Sequence, residues 1–383
     1  MNKEAAYWIA LAHLPRWGYL KINNLIIKFY YENKLTIEDF FQLSENDWRI
    51  QYGLEYREVE DLKKAKSELA NNAFLAESLM NEGYELIPIT SPLYSKTLKD
   101  NLKAAHSPAL LYVKGNKQIM CEKSIAIVGS RNASYKSLEF TENIAKLASK
   151  EFKVVISGFA KGVDKQALDS AIKFKGQSII VLPQGIMTFN SGLKTYYKQI
   201  IDGNVLILSI FFPKAPWKPE LAMARNPIIY GLANEIYVAE SSERGGTWAG
   251  VIDGLRKDRK IFVRKPEIDE KNANNILIQK GAIPVDFDGN ELSKDYAARI
   301  PDIFTTVQES NASELSEAKI RSAINGKQLT AKELIKKLEL NWTSRKLNAY
   351  LKKLDFIEIV KEKKINLYKI KGDTDTTQTT LFS

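Results

Sequence analysis

Residues 124–134 read SIAIVGSRNAS, and this stretch sets the interpretation of the whole chain. Ile125 to Val128 are apolar throughout, which is typical of a strand buried on both faces of a parallel sheet. The run stops at Gly129, and a serine and an arginine follow at once. Ligands of such sheets bind at the carboxyl ends of the strands, so this pattern indicates a binding site at the end of a central strand.

Seven further apolar runs alternate with helical segments between residues 84 and 288. The segments between them, such as LEFTENIAKLASK and DKQALDSAIKFK, have the apolar spacing of crossover helices. The pattern predicts a doubly wound α/β domain with a mostly parallel sheet over residues 84–288. The predicted strands are ELIPI, ALLYV, SIAIVG, KVVISG, SIIVLP, VLILS, EIYVAE and KIFV.

Residues 1–83 have apolar side chains at a spacing of three to four, which predicts an all-α domain. Within it, LPRWGYLKINNLIIKF resembles a helix-hairpin-helix of the kind found in SAM-like domains, an element that uses a glycine turn to approach a phosphate backbone. Only Gly18 stands where such a hairpin usually has two glycines. We therefore expect plain helical packing here, with backbone contact as the alternative.

Residues 315–371 are predicted to form a compact unit of their own. TAKE, from Thr330 to Glu333, is a capping-box pattern that starts a helix, and TSRKLNAYLKKL gives a second helix. FIEIVKEKKINLYKI then predicts two strands joined by a charged turn. Helix, turn, helix and hairpin in this order indicate a winged helix. Residues 289–314 are predicted to be a polar linker, and residues 372–383 a disordered tail.

The composition of the 383 residues narrows the class of protein. One cysteine and two histidines exclude an intramolecular disulfide and make a structural zinc site unexpected. We expect Cys121 to be a small buried residue. No apolar run approaches the roughly 18 residues of a membrane span, and the N-terminus lacks a signal-peptide pattern. A cytoplasmic location without a membrane contact is therefore expected.

The net charge of +10 is concentrated near the C-terminus. Between Leu315 and Gly372, 15 Lys and Arg stand against 6 Asp and Glu, a net charge of +9 that leaves +1 for the rest of the chain. Clustered positive charge attracts polyanions, and nucleic acid is the commonest such partner. The alternative is a solvated, lysine-rich surface.

Four glycine-bearing loops follow predicted strands, namely VGSRN (128–132), SGFAKG (157–162), LPQG (182–185) and ESSERGGT (240–247). In a parallel sheet such loops gather along one edge, where glycines let backbone N–H groups approach an anion. Three of the loops carry Arg131, Lys161 or Arg244, and a MARNP stretch adds Arg225 and Asn226. The loops therefore predict a positively charged crevice suited to phosphate groups.

The predicted crevice lacks the signatures of common phosphate enzymes. The chain has no G-x-x-x-x-G-K-[ST], no G-x-G-x-x-G opens the first helix, and no histidine lies in these loops for a serine triad. Asp164 and Glu240 lie in or next to the loops, and we expect Asp164 to hydrogen-bond loop amides. The pattern indicates a binding site rather than an enzyme, without a metal or cofactor.

The order of these motifs resembles that of the DprA (Smf, DNA-processing) family. VGSRNAS, SGFAKGVDKQALDSAI, GQSIIVLPQGI, MARNPIIYGLAN and IYVAESSERGGTWAG follow one another as in that family, over about residues 5–288 and on into the winged helix. The resemblance implies a helical N-terminal domain, an extended Rossmann-like domain that binds single-stranded DNA, and a homodimer. It also implies protection of single strands and loading of the RecA recombinase during natural transformation.

The resemblance assigns DNA contacts to individual residues of this chain. Phe189 falls near the family's aromatic residue after the LPQG loop, which implies stacking on a base. Lys218 lies upstream of the Arg225–Asn226 pair, as a basic residue does in relatives. The full expected set is Gly129, Ser130, Arg131, Ser157, Gly158, Lys161, Gly162, Phe189, Lys218, Arg225 and Asn226.

Several positions depart from the family pattern and identify a divergent member. Leu168 stands where a histidine is usual, Ile210 replaces a glutamate, Pro227 replaces a cation, and GGTWAGV replaces S-G-S-x-x-T-A. These departures bear on the transformation role more than on the fold or the groove. The alternative function is a DNA-sensing or regulatory component of a phage-defence or toxin-antitoxin module.

A second, enzymatic alternative is a nucleoside monophosphate glycosidase of the lysine-decarboxylase-like group. RGGTWAG resembles the P-G-G-x-G-T-x-x-E loop of that group. Val251 and Ile252 stand where the glutamate is needed, which argues against this activity.

The winged helix is expected to supply a weaker, second nucleic-acid contact. A protein-binding winged helix with incidental lysines is the alternative. The residues expected to make the contact are Ser344, Arg345 and Asn348 on the second helix and Lys361, Lys363 and Lys364 on the wing.

The tail carries one short motif. Gln378, Leu381 and Phe382 resemble the Q-x-x-L-F peptides with which bacterial proteins dock on the replication sliding clamp. A disordered segment can place such an apolar pair in a pocket. Packing of the pair on the winged helix is the alternative.

Overall fold

The computed structural model describes residues 4–293, 296, 317–340, 342–352, 354–362 and 365–371. The chain divides into two compact units, Met1–Ile300 and Pro301–Ser383. Within the described residues, no helix combines the length and the apolar character needed to cross a bilayer.

The first unit begins with a series of short helices. Thr36 and Ser44 each accept a hydrogen bond from the backbone N–H three residues on and form complete capping boxes, which is why separate helices start at these points. The helices are α1 (Ala5–Ala12), α2 (Tyr19–Ile26), α3 (Ile37–Gln42), α4 (Glu45–Ile50), α5 (Tyr56–Ser67) and α6 (Leu69–Asn81), with a π-helical turn at Ile27–Glu32.

The centre of the unit is one sheet, for which residues 4–293 supply nine strands. The strands are β1 (Glu85–Pro88), β2 (Leu110–Lys114), β3 (Ser124–Gly129), β4 (Val154–Ser157), β5 (Ser178–Val181), β6 (Val205–Ser209), β7 (Glu235–Glu240), β8 (Ile261–Arg264) and β9 (Ile283–Val285). Their order is β1-β2-β6-β5-β4-β3-β7-β8-β9. From β6 to β9 all neighbours are parallel, whereas β2 pairs antiparallel with β1 and β6. The predicted α/β fold with a mostly parallel sheet is confirmed.

Helices connect the parallel strands. The chain runs from β3 outward through β4 and β5 to β6, then returns to β7 beside β3 and continues outward on the other side. The strand order therefore reverses between β3 and β7, which is the position where α/β sheets bind ligands. The helices are α7 (Lys96–His106), α8 (Tyr135–Lys150), α9 (Val163–Lys173), α10 (Asn190–Thr195), α11 (Tyr197–Ile201), α12 (Pro219–Leu232), α13 (Gly246–Arg256) and α14 (Asn274–Gln279).

Two observations differ from the expectations. Strand β9 was not expected, because Ile283–Val285 is only three residues long and contains a proline, which weakens any strand pattern. Cys121, expected to be buried, is exposed. It is the last residue of a short 3-10 helix (Lys117–Cys121) ahead of β3, in which Ile119 and Met120 are the buried residues.

The helical segment shares a hydrophobic core with the sheet. Trp8 and Phe40 belong to the same buried cluster as Tyr112 on β2 and Ile180 on β5. At the end of α1, His13 shares a 2.9 Å hydrogen bond with the Tyr112 hydroxyl, and burial lowers the pKa of His13 to about 4. The folded protein therefore holds this imidazole in its neutral form at pH 7.

The described part of the second unit contains three helices and a small antiparallel sheet. Thr330 and Glu333 form the predicted capping box at the start of its second helix. Leu334, Leu347 and Tyr368 are fully buried in a core of its own. Its elements are α15 (Glu317–Ile324), β10 (Leu329–Thr330), α16 (Ala331–Lys337), α17 (Ser344–Leu351), β11 (Ile357–Glu362) and β12 (Ile365–Ile370), with sheet order β10-β12-β11.

Candidate functional site

The glycine loops after β3, β4 and β7 contact one another at the carboxyl edge of the sheet. The Ser130 N–H donates to the carbonyl of Glu240 at 3.0 Å, and the Thr247 hydroxyl donates to the carbonyl of Gly129 at 3.1 Å. The Val163 N–H donates to the carbonyl of Ser130 at 3.3 Å. The structure therefore brings together the loops after β3 and β7, which are more than 100 residues apart in the chain.

Gly162 allows the closest of these approaches. Its φ is +86°, and a Cβ at this position would lie 2.3 Å from the Ser130 carbonyl oxygen and 2.7 Å from that of Arg131. Both the backbone conformation and the lack of space require glycine here. The loop after β4 can therefore lie directly against the loop after β3.

Three cavities adjoin at this edge, and Arg131 lines all of them. We call the three together the edge groove. The main cavity, about 500 Å³, lies between the loops after β3 and β7 and is also lined by α12. The second cavity, about 310 Å³, lies beside the loops after β4 and β5. The third, about 420 Å³, lies beside Lys161, Gly162 and Lys165.

The exposed charges of the edge groove are mainly cationic, and the exposed Asp169 of the third cavity is paired with Lys165 at 2.6 Å. Arg131 and Lys161 are exposed, and within the described part of the chain no carboxylate lies within 4.0 Å of either side chain. Arg244 is also exposed and lines the main cavity. Lys218 is exposed beside Trp217, one residue before α12. These side chains are free to meet an anion that enters the groove.

Arg225 forms part of the wall of the main and second cavities, although almost all of it is buried. Only 3% of the residue is exposed, and its Nη1 donates to the carbonyl of Val181 at 3.1 Å. Burial lowers the pKa of Arg225, and the nearby carboxylate of Asp164 opposes this effect. Because so little of the guanidinium is accessible, direct contact of Arg225 with DNA stays a prediction. Its positive charge acts on both cavities from their wall.

Asp164 holds the loop after β4. Its carboxylate accepts the backbone N–H groups of Gly158 and Ala160, as the sequence predicted. Burial raises the pKa of Asp164, while Arg225 and these two N–H groups lower it. Ser157, expected to contact DNA, is 1% exposed and instead donates its hydroxyl to the carbonyl of Asp164 at 2.5 Å. Both side chains therefore shape the loop.

Phe189, expected to stack on a base, is largely covered by neighbouring side chains. It is 5% exposed, and its ring packs edge-on against Phe159 with centroids 5.0 Å apart. The ring also fills the space beside Gly192, where a Cβ would lie 1.9 Å from Cζ. Protein atoms therefore cover most of this ring, which nevertheless lines the second cavity, and its stacking on a base stays a prediction.

Sequence reasoning missed two other aromatic residues of the groove. Trp217 is 52% exposed and lines both the main and the second cavity. Phe159 is half-buried and lines the second cavity. The available signal was FPKAPWKP, residues 212–219, in which a tryptophan stands among prolines and lysines directly after a strand.

The two carboxylates that line the main cavity have structural partners. Asp164 is occupied by the loop amides, and Glu240 Oε2 accepts the Ser134 N–H at 3.0 Å and the Ser137 hydroxyl at 2.8 Å. Over the described ranges, no group of three or more His, Cys, Asp or Glu is placed to hold a metal ion. The main cavity therefore offers cations and backbone amides rather than an acid–base pair.

The expected second contact is described only in part. Ser344 is half-buried at the start of α17, and the Asn348 Oδ1 accepts the hydroxyl of the buried Tyr368 at 2.7 Å. Asn348 is therefore half-buried and hydrogen-bonds a core residue of its unit, whereas the prediction placed it on an exposed face. Lys363, Lys364 and the side chain of Arg345 lie outside the described residues, as do Gln378, Leu381 and Phe382.

Comparison with known proteins identifies relatives of this chain. The family model described as DNA recombination-mediator protein A matches residues 85–296. The DNA processing protein DprA of Streptococcus pneumoniae is 31% identical over 179 residues, 46% of this chain and 63% of the relative. That of Bacillus subtilis is 28% identical over 205 residues, 52% of this chain and 68% of the relative. The matched region thus spans about two thirds of these relatives.

One solved structure has the same fold. The X-ray structure of DprA from Streptococcus pneumoniae superposes with a TM-score of 0.61 and 23% sequence identity. The superposition covers 74% of this chain and 95% of that structure.

Proposed function

The chain belongs to the DNA recombination-mediator protein A family, and on that premise we propose that its edge groove binds single-stranded DNA. The observation that carries the proposal is the position of Arg131. It is exposed where three cavities adjoin, and no described carboxylate pairs with it. A polyanion that follows the groove past this point meets free cationic groups in succession, which is the arrangement of proteins that bind single strands without sequence preference.

Phosphate groups are the parts of the strand that this groove recognises. Arg131 and Lys161 supply exposed charge, and Gly162 lets the two loops that carry them lie in contact. Arg225 adds positive potential from the wall of the main and second cavities. Sequence-independent binding follows, because phosphates carry no sequence information.

We propose binding without a chemical step. The carboxylates of Asp164 and Glu240 already accept hydrogen bonds from loop amides and hydroxyls. A glycosidase requires a carboxylate that is free to act on the sugar, and Val251, at the position where the related enzymes need glutamate, is fully buried. Assay of free-base release from nucleoside monophosphates tests this part, and turnover would overturn it.

The experiment that tests binding compares two double charge reversals in the full chain. Arg131→Glu with Lys161→Glu changes the groove, whereas Lys123→Glu with Lys150→Glu makes the same charge change beside the opposite ends of β3 and β4. Fluorescence anisotropy of a labelled oligothymidine measures affinity. We expect the first variant to lose much more than tenfold in affinity and the second to resemble the wild type. Equal affinities of all three folded proteins would overturn the proposal.

Of the departures from the family pattern, GGTWAGV places Gly245, Gly246 and Thr247 in the lining of the main cavity, whereas the other three lie elsewhere. Leu168 and Ile210 are buried, so these substitutions alter the core. Pro227 lies within α12 and lines a separate cavity next to α7 and α13. This placement supports a DNA-binding role for the divergent chain.

We further propose that the protein protects single strands and helps load RecA, as the family resemblance implies. Nuclease protection and the rate of RecA filament formation on protein-coated strands test the two parts. Protection without any effect on RecA would favour the DNA-sensing or regulatory role. A homodimer, a cytoplasmic location and sliding-clamp docking through the tail remain predictions.

For the second unit we propose a winged helix that makes a second, weaker contact with nucleic acid. The succession of α16, α17 and the β11–β12 hairpin supports this assignment. The net charge of +9 between residues 315 and 372 supports the choice of a polyanion as partner.

A further inference from the structure

The second cavity of the edge groove combines aromatic and cationic side chains in a way that phosphate binding alone does not use. Phe159 and Trp217 line it together with Arg131 and Lys161. Flat aromatic faces hold nucleobases, and cations hold the phosphates that flank them. We propose that this cavity is a nucleobase subsite in which an unstacked base of the strand rests against Trp217 and Phe159. This inference rests on the proposed binding of single-stranded DNA.

Trp217 is exposed to a degree that no other tryptophan of the chain approaches. Trp8 and Trp48 are at most 2% exposed, and the remaining three are half-buried. A large aromatic side chain left half in water forgoes the free energy of burial, and such surfaces commonly mark binding sites. Because Trp217 lines two adjoining cavities, a strand passing through the groove contacts this ring.

Phe159 is held in an unusual backbone conformation. Its φ is +59°, in the left-handed region that bulky residues rarely adopt. Hydrogen bonds on each side maintain it, since Asp164 accepts the N–H groups of Gly158 and Ala160, and the Ser157 hydroxyl oxygen accepts the Phe159 N–H at 3.3 Å. Residues that several surrounding contacts hold in a strained backbone conformation are concentrated at functional sites.

The ring of Phe159 is supported from behind. Phe189 and Tyr196 pack edge-on against it, with centroid distances of 5.0 Å and 5.8 Å. Because these neighbours fix the ring before any ligand arrives, a base that stacks on its free part loses little to ordering. Phe189, the aromatic residue that the family resemblance predicted, thus lines the same cavity and supports the ring of Phe159.

Polar side chains of the cavity already bond one another. The Gln184 amide donates to the Thr188 hydroxyl at 2.9 Å, and this hydroxyl donates to the carbonyl of Gly185 at 2.8 Å. The hydrogen-bonding groups that remain are mainly those of Arg131 and Lys161, which the flanking phosphates engage. The subsite therefore accepts any base, as stacking platforms generally do.

The test compares a 20-residue oligothymidine with an abasic strand of the same length, which keeps the phosphates and lacks the bases. Anisotropy titrations use the full chain as wild type, Trp217→Ala and Trp217→Phe, with Phe74→Ala, an exposed aromatic on α6, as the matched control. We expect the wild type and the control to bind the thymidine strand at least about fivefold more tightly than the abasic strand, the effect of one stacked base. Trp217→Ala should lose this preference while keeping its affinity for the abasic strand, and Trp217→Phe should restore it.

A second variant tests the other wall. Phe159→Leu keeps a bulky apolar side chain but removes the aromatic face, and we expect it to lower the same preference. If Trp217→Ala and Phe159→Leu both keep the wild-type preference, the nucleobase subsite is overturned while phosphate binding stands. If the wild type binds neither strand, the proposed function itself fails.

Discussion

Gly158 and Arg225 are in such close contact that a side chain at position 158 would take the place of the guanidinium. A Cβ there would lie 1.7 Å from Arg225 Nη1 and 2.5 Å from Asp164 Oδ2. A glycine on the loop after β4 therefore makes room for a buried cation from α12 and a carboxylate from α9. This contact fixes both the shape of the loop and the charge in the wall of the edge groove.

Replacement of Gly158 by alanine should disturb both properties. We expect Gly158→Ala to lower the free energy of unfolding by about 1–3 kcal/mol, the usual cost of overpacking, because the new methyl group displaces the Arg225 guanidinium from its hydrogen bond to the Val181 carbonyl. Urea unfolding measures this change, and strand affinity should fall as well. Gly18→Ala is the control, since nothing lies within 4 Å of a Cβ at position 18. Equal unfolding midpoints for the two variants would contradict the prediction.

Salt dependence should report the phosphate contact of Arg131. Each contact with a single strand contributes about 0.7 to the slope of log affinity against log salt concentration. We therefore expect Arg131→Gln to reduce the magnitude of the slope by about 0.7, with Lys123→Gln leaving it unchanged. Anisotropy titrations across a series of NaCl concentrations give the slopes. An unaltered slope for Arg131→Gln would remove Arg131 from the phosphate contacts.

His13 should make stability fall in mild acid. Burial lowers its pKa from 6.5 to about 4, so between these values the unfolded chain binds a proton that the folded chain does not. Its contribution is therefore fully present above the unfolded pKa and is lost as the pH falls toward the folded pKa. Between pH 7.5 and 4.5, we expect the wild type to lose about 2–3 kcal/mol more unfolding free energy than His13→Gln, whose amide does not titrate. Urea unfolding at both pH values measures the difference, and equal losses would argue against a buried neutral imidazole.

A buried ion pair next to the groove should be sensitive to removal of its acid. Arg264 is fully buried, and its Nη1 and Nη2 each donate to a carboxylate oxygen of Glu270 at 2.9 Å. We expect Glu270→Gln to cost about 3–5 kcal/mol of unfolding free energy, because it leaves a buried cation without its counter-charge. Glu142→Gln, which breaks an exposed pair with Lys173, should cost about 1 kcal/mol or less. Similar losses of unfolding free energy for Glu270→Gln and Glu142→Gln would contradict this prediction.

The second unit should contribute to the salt dependence of binding. Truncation after residue 300 removes the compact unit Pro301–Ser383, which contains the 15 Lys and Arg counted between residues 315 and 372. If its winged helix contacts the strand, the truncated chain should show a shallower salt slope than the full chain while retaining the effect of Arg131→Gln. An unchanged slope would favour a winged helix that binds protein.

The chain's local patterns predicted the elements of the fold because they depend on near neighbours. The unbroken apolar run from Ile125 to Val128 predicted a strand covered on both faces, and β3 lies at the centre of the sheet. The capping-box spacing of Thr330 and Glu333 predicted the start of a helix, and the structure has this capping box at the start of α16. The glycine loops predicted where a site would form, since parallel strands end at one edge. The short, proline-containing β9 gave no comparable pattern.

Which side chains of the site are accessible was decided only by tertiary structure. Arg225 donates a hydrogen bond to Val181, 44 residues away, and Phe189 packs on Phe159, 30 residues away. No local sequence pattern therefore indicates that either side chain is buried. Trp217, by contrast, remains exposed between two cavities whose walls come from distant loops. Sequence alone thus determined the strands, the caps and the edge at which the loops meet. Packing between distant segments decided which cations and rings face the groove, because exposure depends on every atom that folding brings near.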